Sequence, residues 1–357
     1  MPSIGRGQSF SGKGRVGGNA SAGVGGFTIV TLPDIQNMTE SDTYELTSYL
    51  STMANWIVAS KSLANIVAVI SEGDIANSAT TAYYNTALPF FNTIAAAGIP
   101  YTVAIGNHDY DGASSGSLTE GKSSVTWDSY FGPSLFAGKS WYGSSSFPTG
   151  SNRNSYITFT VAGQQYLILN LEFFPYTDAI AWAQGVVSAN PNAIVIVQTH
   201  GYMNPDGSLS EWGGNGPPST WGLTTSNAGD GVELWNTFLS VNPNIVLVVC
   251  GHNWPTTAPY AAAANIATAA NDGHKIVQIL ANYQAVPLGT DGGVYTAGWN
   301  GNGYIRLMQF HVSTPGGVFT GTIDNRTLSP IEYVTLDTTG PGGEWLGSPH
   351  QFVVSYP

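Results

Sequence analysis

A chain of 357 residues is long enough to bury a sizeable core, and a formal charge of −12 with only ten Lys and Arg excludes nucleic-acid backbone binding, which needs a basic face. Charged residues are only 9% of the chain, a scarcity that fits an extracellular, periplasmic or virion-surface protein better than a cytosolic enzyme. The single cysteine, Cys250, excludes an internal disulfide and a cysteine-built metal site; it follows Val-Leu-Val-Val and reads as a buried strand residue.

No apolar run approaches the length of a membrane span, and the basic amino terminus (Arg6, Lys13, Arg15) has no apolar segment to make it a signal peptide. Residues 1 to 26 are Gly/Ser-rich and without periodicity, so they read either as a flexible tail or as a docking arm that orders on a partner or assembly. Residues 27 to 357 show no linker and are expected to form one domain. Phe27 to Leu32 is the first buried strand, and Ser41 or Asp42 is placed to cap a helix with Leu46, Leu50, Met53 and Ile57 on one face. Ile66 to Ile70 is the second strand, Thr80 to Ala97 a second helix, and Tyr101 to Ile105 a third strand. This alternation predicts a largely parallel sheet covered by helices.

A Gly/Ser-rich loop then leads to a hairpin of Ser155 to Val161 with Gln165 to Leu171, the amphipathic helix Tyr176 to Ala189, and the strand Ala193 to Gln198. A long Gly/Pro/Trp-containing loop follows, to about Gly229, and loops of that length without structure are usually functional or disordered. Val232 to Leu239 reads as helix and Ile245 to Val249 as strand, and further strands are expected at Ile276 to Ala281, Tyr304 to Val312, Val318 to Asp324 and Gln351 to Tyr356.

Polar residues cluster just after these strands: Asp34 and Gln36, Asp74 and Asn77, Asn107 and His108, His200, His252. Parallel strands set their carboxyl ends on one rim, so groups distant in sequence can converge there. Asn107 offers a neutral amide oxygen as a ligand, and His108 a group that titrates near neutrality. Carboxylate, amide oxygen and imidazole together suit Zn, Mn or Fe.

In order and wording the clusters resemble the calcineurin-like metallophosphoesterases. They stand here as Asp34-Ile35-Gln36, Gly73-Asp74-Ile75-Ala76-Asn77, Gly106-Asn107-His108-Asp109, Thr199-His200 and Gly251-His252-Asn253-Trp254. The first motif, ending in Gln, is similar to that of a bacterial branch, as are the runs Gln278 to Gln284 and Gly301 to Leu307. The resemblance implies a four-layer α/β/β/α sandwich of two mixed β-sheets and a phosphoesterase acting on a phosphate mono- or diester through a metal-activated water. It also implies a two-metal centre bridged by Asp74. One divalent ion would be held by Asp74, Asn107, His200 and His252. The other would be held by Asp34, Asp74 and two histidines, whose places are taken here by Gln36 and Trp254. Gln36 reads equally as a ligand or as a plain hydrogen-bonder, whereas the indole N–H of Trp254 is a donor only and cannot ligate. His108 would be the acid beside the leaving group, with Asn77 where its usual Asp partner stands.

Those two replacements also motivate an alternative: a catalytically weakened or inactive module of the same fold with a structural or binding role at a cell surface, filament or virion. Trp212, Trp221, Trp254 and Trp299 lie in loops that either wall a site or simply pack those loops down. His311, in a strand, is expected to be a satisfied structural histidine, with His274 and His350 exposed.

Overall fold

The first strand, β1 (Phe27–Leu32), is buried along its whole length because both of its faces are covered. Phe27 and Ile29 pack between the two sheets, while Val30 and Leu32 face the helices, as the two-residue period of a strand requires. The computed structural model describes residues 26–40, 46–113, 116–118, 121–254, 262–284, 303–312, 321–329, 334–336 and 351–356.

After β1 come a short helix α1 (Gln36–Glu40), helix α2 (Leu46–Ser60), strand β2 (Ile66–Ser71), helix α3 (Thr81–Ala96) and strand β3 (Tyr101–Val103). Leu50, Met53 and Ile57 of α2, and Tyr84, Ala87, Phe91 and Ile94 of α3, recur at helical spacing and are buried against β1 and β2. Thr80 caps α3, its hydroxyl accepting from Tyr83 N at 3.4 Å. The expected caps Ser41 and Asp42 lie outside the described residues.

Helices α4 (Val125–Phe131) and α5 (Pro133–Phe136) follow, in a stretch that sequence reads as loop. Trp127, Phe131 and Phe136 anchor them to the helical core, so tertiary burial outweighs the Gly/Ser surroundings. Strands β4 (Ser155–Val161) and β5 (Gln164–Leu171) form the expected hairpin, turning at Ala162-Gly163 with both residues at positive φ. Next come α6 (Thr177–Ala189), β6 (Ile194–Thr199), α7 (Gly231–Leu234) with a π-helical turn at Trp235–Leu239, and β7 (Ile245–Cys250). The chain closes with β8 (Ala262–Ala269), β9 (Lys275–Asn282), β10 (Ile305–Val312), β11 (Gly321–Ser329), β12 (Val334–Leu336) and β13 (Gln351–Tyr356).

The first sheet has the order β12-β11-β10-β1-β2-β3 with β13 also on β11; the second has the order β4-β5-β6-β7-β9-β8. Each has a parallel centre (β1-β2-β3 and β5-β6-β7-β9) with antiparallel strands added, so both are mixed. A core of Phe27, Ile29, Ile70, Ile168, Ile196, Val249, Ile279 and Met308 fills the space between them. Separate apolar layers under α2 and α3 on one outer face, and under α6 on the other, complete the α/β/β/α sandwich.

Strand β8 was not expected, since its Ala-rich sequence has little strand propensity; full pairing with β9 supplies what propensity lacks. His311, expected to be a satisfied structural histidine, is exposed, and His274, expected to be exposed, is half-buried, bonded to Asp272 and to the Ile245 carbonyl. Among the described residues no helix is long and apolar enough to cross a membrane. The basic tail, Trp299 and His350 lie outside the described residues.

Candidate metal centre

Parallel pairing puts the carboxyl ends of β1, β2 and β3 on one rim and those of β6 and β7 on the facing rim, and Asp74, Asn107, His200 and His252 meet across the gap. His200, just after β6, places Nε2 3.1 Å from Asp74 Oδ2 and 3.1 Å from Asn107 Oδ1. Its Nδ1 lies 2.8 Å from the Glu72 carbonyl. A carbonyl only accepts, so Nδ1 carries the proton and Nε2 is the nitrogen presented to the centre, the arrangement usual for a metal-ligating histidine. Ligand atoms of Asp74, His200 and His252 all lie within 4.8 Å of one another, from two sheets.

The loops are shaped for this approach. Asp74 and His252 both sit in the left-handed backbone region, at φ 48 and 69, a conformation that costs a non-glycine residue on the order of 1 kcal/mol or more. Gly106 is required by proximity: a Cβ there would stand 2.1 Å from Asp74 Oδ1. The Asn107 amide donates Nδ2 to the Gly116 carbonyl at 3.1 Å, which turns its oxygen toward His200.

Asp34 accepts from His252 N at 3.2 Å through Oδ2, and its Oδ1 lies 3.5 Å from His200 Nδ1. Gln36 donates Nε2 to Gln284 Oε1 at 2.7 Å, leaving its own oxygen over. His108 reaches the centre by its main chain, donating N–H to Asp74 Oδ1 at 3.0 Å. Its ring Nδ1 is 3.0 Å from the backbone oxygen of Asn77. The Asn77 side chain is not the partner of His108, correcting the expectation; it turns outward to Glu40 Oε2 at 2.8 Å. An amide carries no charge to hold it against an imidazole, and the main-chain oxygen of the same residue takes that place. Trp254 packs toward the outer core of the second sheet, while Trp221 stands with its ring 4.5 Å from that of His252.

Burial and mutual charge set the protonation. Burial pushes Asp34 up to about 8 against the pull of His200, and His200 itself, resisting its burial, is raised to about 9 by Asp74 and Asp34. Asp74 is also buried, but His200 and His108 outweigh that and hold its carboxyl low. His252 is pushed well below the ordinary histidine value, first by burial and then by His200, so it stays neutral.

Do these residues fit a cation? His252 Nε2, Asp34 Oδ1 and Gln36 Oε1 are buried acceptors with no hydrogen-bond partner, and unmet acceptors inside a protein call for an explanation. His252, whose buried Nε2 is unmet, belongs with Asp74 and His200 to a group whose ligand atoms all lie within 4.8 Å of one another, so that group fits a cation.

One supporting residue escaped the sequence reading. Asp109 is fully buried and accepts from Gly106 N (2.9 Å), Ile75 N (3.2 Å) and Ala76 N (3.1 Å), clamping the second and third motif loops together. Its place in Gly-Asn-His-Asp was the only signal.

Two mixed sheets sandwiched by helices, with carboxylate, amide and imidazole groups meeting at facing strand ends, define a metallophosphoesterase fold. The calcineurin-like phosphoesterase family model matches residues 27–253, and the chain belongs to that family, whose members are phosphoric ester hydrolases that use divalent metals. The uncharacterized protein YvnB of Bacillus subtilis is 27% identical over 301 residues, covering 81% of this chain; the chain spans only 20% of that relative's length. The purple acid phosphatase PPD1 from yellow lupin seeds superposes with a TM-score of 0.51 at 12% identity, over 93% of this chain and 54% of the other. GAP50, the anchor in the inner membrane complex of Plasmodium, gives a TM-score of 0.44 at 12% identity, over 88% and 87%.

Proposed function

We propose that this domain hydrolyses phosphate mono- or diesters at the Asp74 centre. The observation that carries the reading is the convergence of Asp74, His200 and His252 ligand atoms within 4.8 Å, with the buried His252 Nε2 unpartnered. Asp74, Asn107, His200 and His252 would hold one divalent ion, of Mn, Zn or Fe. Such an ion, when bound, polarises the phosphoryl oxygens and makes hydroxide available from water near neutral pH.

The chain's own residues supply the rest. The Glu72 carbonyl and the Asn107–Gly116 bond hold their partners so that Nε2 and the amide oxygen face inward. With Nδ1 of His108 committed to the Asn77 carbonyl, Nε2 is the nitrogen left to give a proton to the departing oxygen. Asp109 keeps His108 and Asp74 on loops that cannot separate. The scarcity of charge supports a place of action outside the cytoplasm.

The test is hydrolysis of bis(4-nitrophenyl) phosphate and 4-nitrophenyl phosphate with and without added Mn²⁺ or Zn²⁺, alongside metal content. Metal-stimulated turnover of either ester that His108→Ala removes is expected. Bound metal with no turnover of any ester favours a binding module of the same fold, the reading that the replacements at Gln36 and Trp254 motivate.

A further inference from the structure

Three aromatic rings stand around His252: Phe173, Phe174 and Trp221, with ring centroids 4.9, 6.5 and 4.5 Å from its imidazole. Phe173 and Phe174 are 0% and 1% exposed and belong to the helical core, so they have no surface left to offer a ligand. Trp221 is half-buried. The polar residues divide in the same way: Asp74, Asn107, His200 and His252 are buried, whereas His108 is half-buried. Beside a closed set of ligands, His108 and Trp221 thus keep part of their surface in solvent.

The backbone holds the indole in place. Trp221 ends the short turn Pro218–Trp221, and its carbonyl accepts from Leu118 N at 2.8 Å. Gly222 follows at φ 76, where a Cβ would stand 3.1 Å from the Leu118 oxygen, so the turn lies close against that segment. Two residues before Leu118 is Gly116, whose carbonyl takes the Asn107 amide at 3.1 Å. A Cβ on Gly116 would stand 2.6 Å from His108 Nε2, so its missing side chain is what leaves room for that ring. One short segment therefore joins the indole to Asn107 and to the nitrogen read as the acid. The circuit closes through the histidines: the rings of His252 and His200 lie 5.0 Å apart, and His200 Nε2 is 3.1 Å from Asn107 Oδ1.

We propose that Trp221 is a specificity-determining residue that stacks on a planar ring carried by the ester oxygen, so that the centre prefers aryl to alkyl phosphate esters. Indole is a rigid apolar surface that loses little freedom on binding, and a ring pair adds stabilisation beyond the area it buries. Closeness to His252 sets the reach: a ring directly on the ester oxygen meets the indole, whereas a small alkyl group leaves it in water. In a monoester that ring departs with the oxygen that His108 protonates, and the segment from Gly116 to Leu118 keeps His108 and Trp221 together. The proposal rests on the reading of Asp74, His200 and His252 as the centre that binds the phosphate.

The experiment compares phenylphosphonate with methylphosphonate, which carry a ring or a methyl group on an uncleaved P–C bond, by isothermal titration calorimetry on the Mn²⁺-loaded protein. Phenylphosphonate is expected to bind about 5- to 10-fold more tightly, the scale of one ring pair. Trp221→Leu, which keeps an apolar side chain without a ring, should bring the ratio to within about 2-fold by weakening phenylphosphonate alone. Methylphosphonate binding in that variant reports an intact fold, and Trp221→Phe, which restores a ring, should keep a ratio of about 3-fold or more. Equal binding of the two ligands by wild type, or an undiminished ratio in Trp221→Leu, would overturn the proposal. So would equal weakening of both ligands in that variant, which would make Trp221 only a support for His252. Failure of both phosphonates and of inorganic phosphate to bind the wild-type protein would instead remove the Asp74 centre itself, and the proposal with it.

Discussion

The two facing rims are chemically opposite. The first sheet delivers Asp34, Gln36, Asp74 and Asn107, all oxygen donors, together with Asp109 behind them. The second delivers the imidazoles of His200 and His252, with Glu172 after β5 already tied to Lys122 and Arg153 at 3.3 and 3.5 Å. Left alone, the acidic rim would be a buried cluster of like charges, and burial raises Asp34 and Asp109 to about 8 and about 7. His200, arriving from the other sheet, holds Asp74 ionised. The lesson is that neither rim is a site; the inter-sheet core, which fixes how the sheets face each other, is part of the metal centre.

The most severe way to break the pairing is at its hub. Asp74→Ala should retain no metal at the first position and lower ester hydrolysis by about 10³-fold or more, since the ion and His200 both lose their partner. Retention of activity in that variant would sink the mechanism. His108→Ala leaves both rims intact and should reduce kcat by about 10²–10³-fold with metal content unchanged, the scale of a lost general acid.

Asp109→Ala attacks the acidic rim from behind. Leaving the buried N–H groups of Gly106, Ile75 and Ala76 without an acceptor should cost about 3–5 kcal/mol in urea unfolding. A loss under about 1 kcal/mol would mean that the clamp is not needed.

The contact between rims also titrates. In metal-free protein the folded value of His200 is about 9, above its ordinary 6.5. Its contribution to stability is therefore complete below 6.5 and disappears as pH rises through about 9. Asp34, raised from 3.8 to about 8, acts with the same sign, because the folded state again holds the extra proton. The urea midpoint of the stripped protein should fall between pH 6.5 and 9, and saturation with Zn²⁺ should flatten that fall. A midpoint that rises over this window would show that the imidazole and the carboxylates are not coupled. The smallest effect is expected of Asn77→Ala. His108 leans on the main-chain oxygen, which alanine keeps, so turnover should stay within about 2-fold.

Much of the molecule was legible before any coordinates. Apolar runs such as Ile66 to Ile70, followed by Gly and a polar residue, are local signals, and the strand ends they mark did meet. The resemblance in five ordered motifs carried the fold. Local reading failed where stability comes from afar: β8 is a strand because β9 pairs with it, and α4 is a helix because Trp127 and Phe131 reach the core.

What sequence alone determined is which residue types stand at the strand termini, because that information lies within a few positions of each other. Only tertiary structure decided how they are used. Asn77 serves through its backbone and not its side chain, and Gln36 finds Gln284 from 248 positions away. Such pairings form across two sheets and leave no periodicity in the chain, so packing has to be seen before they can be known.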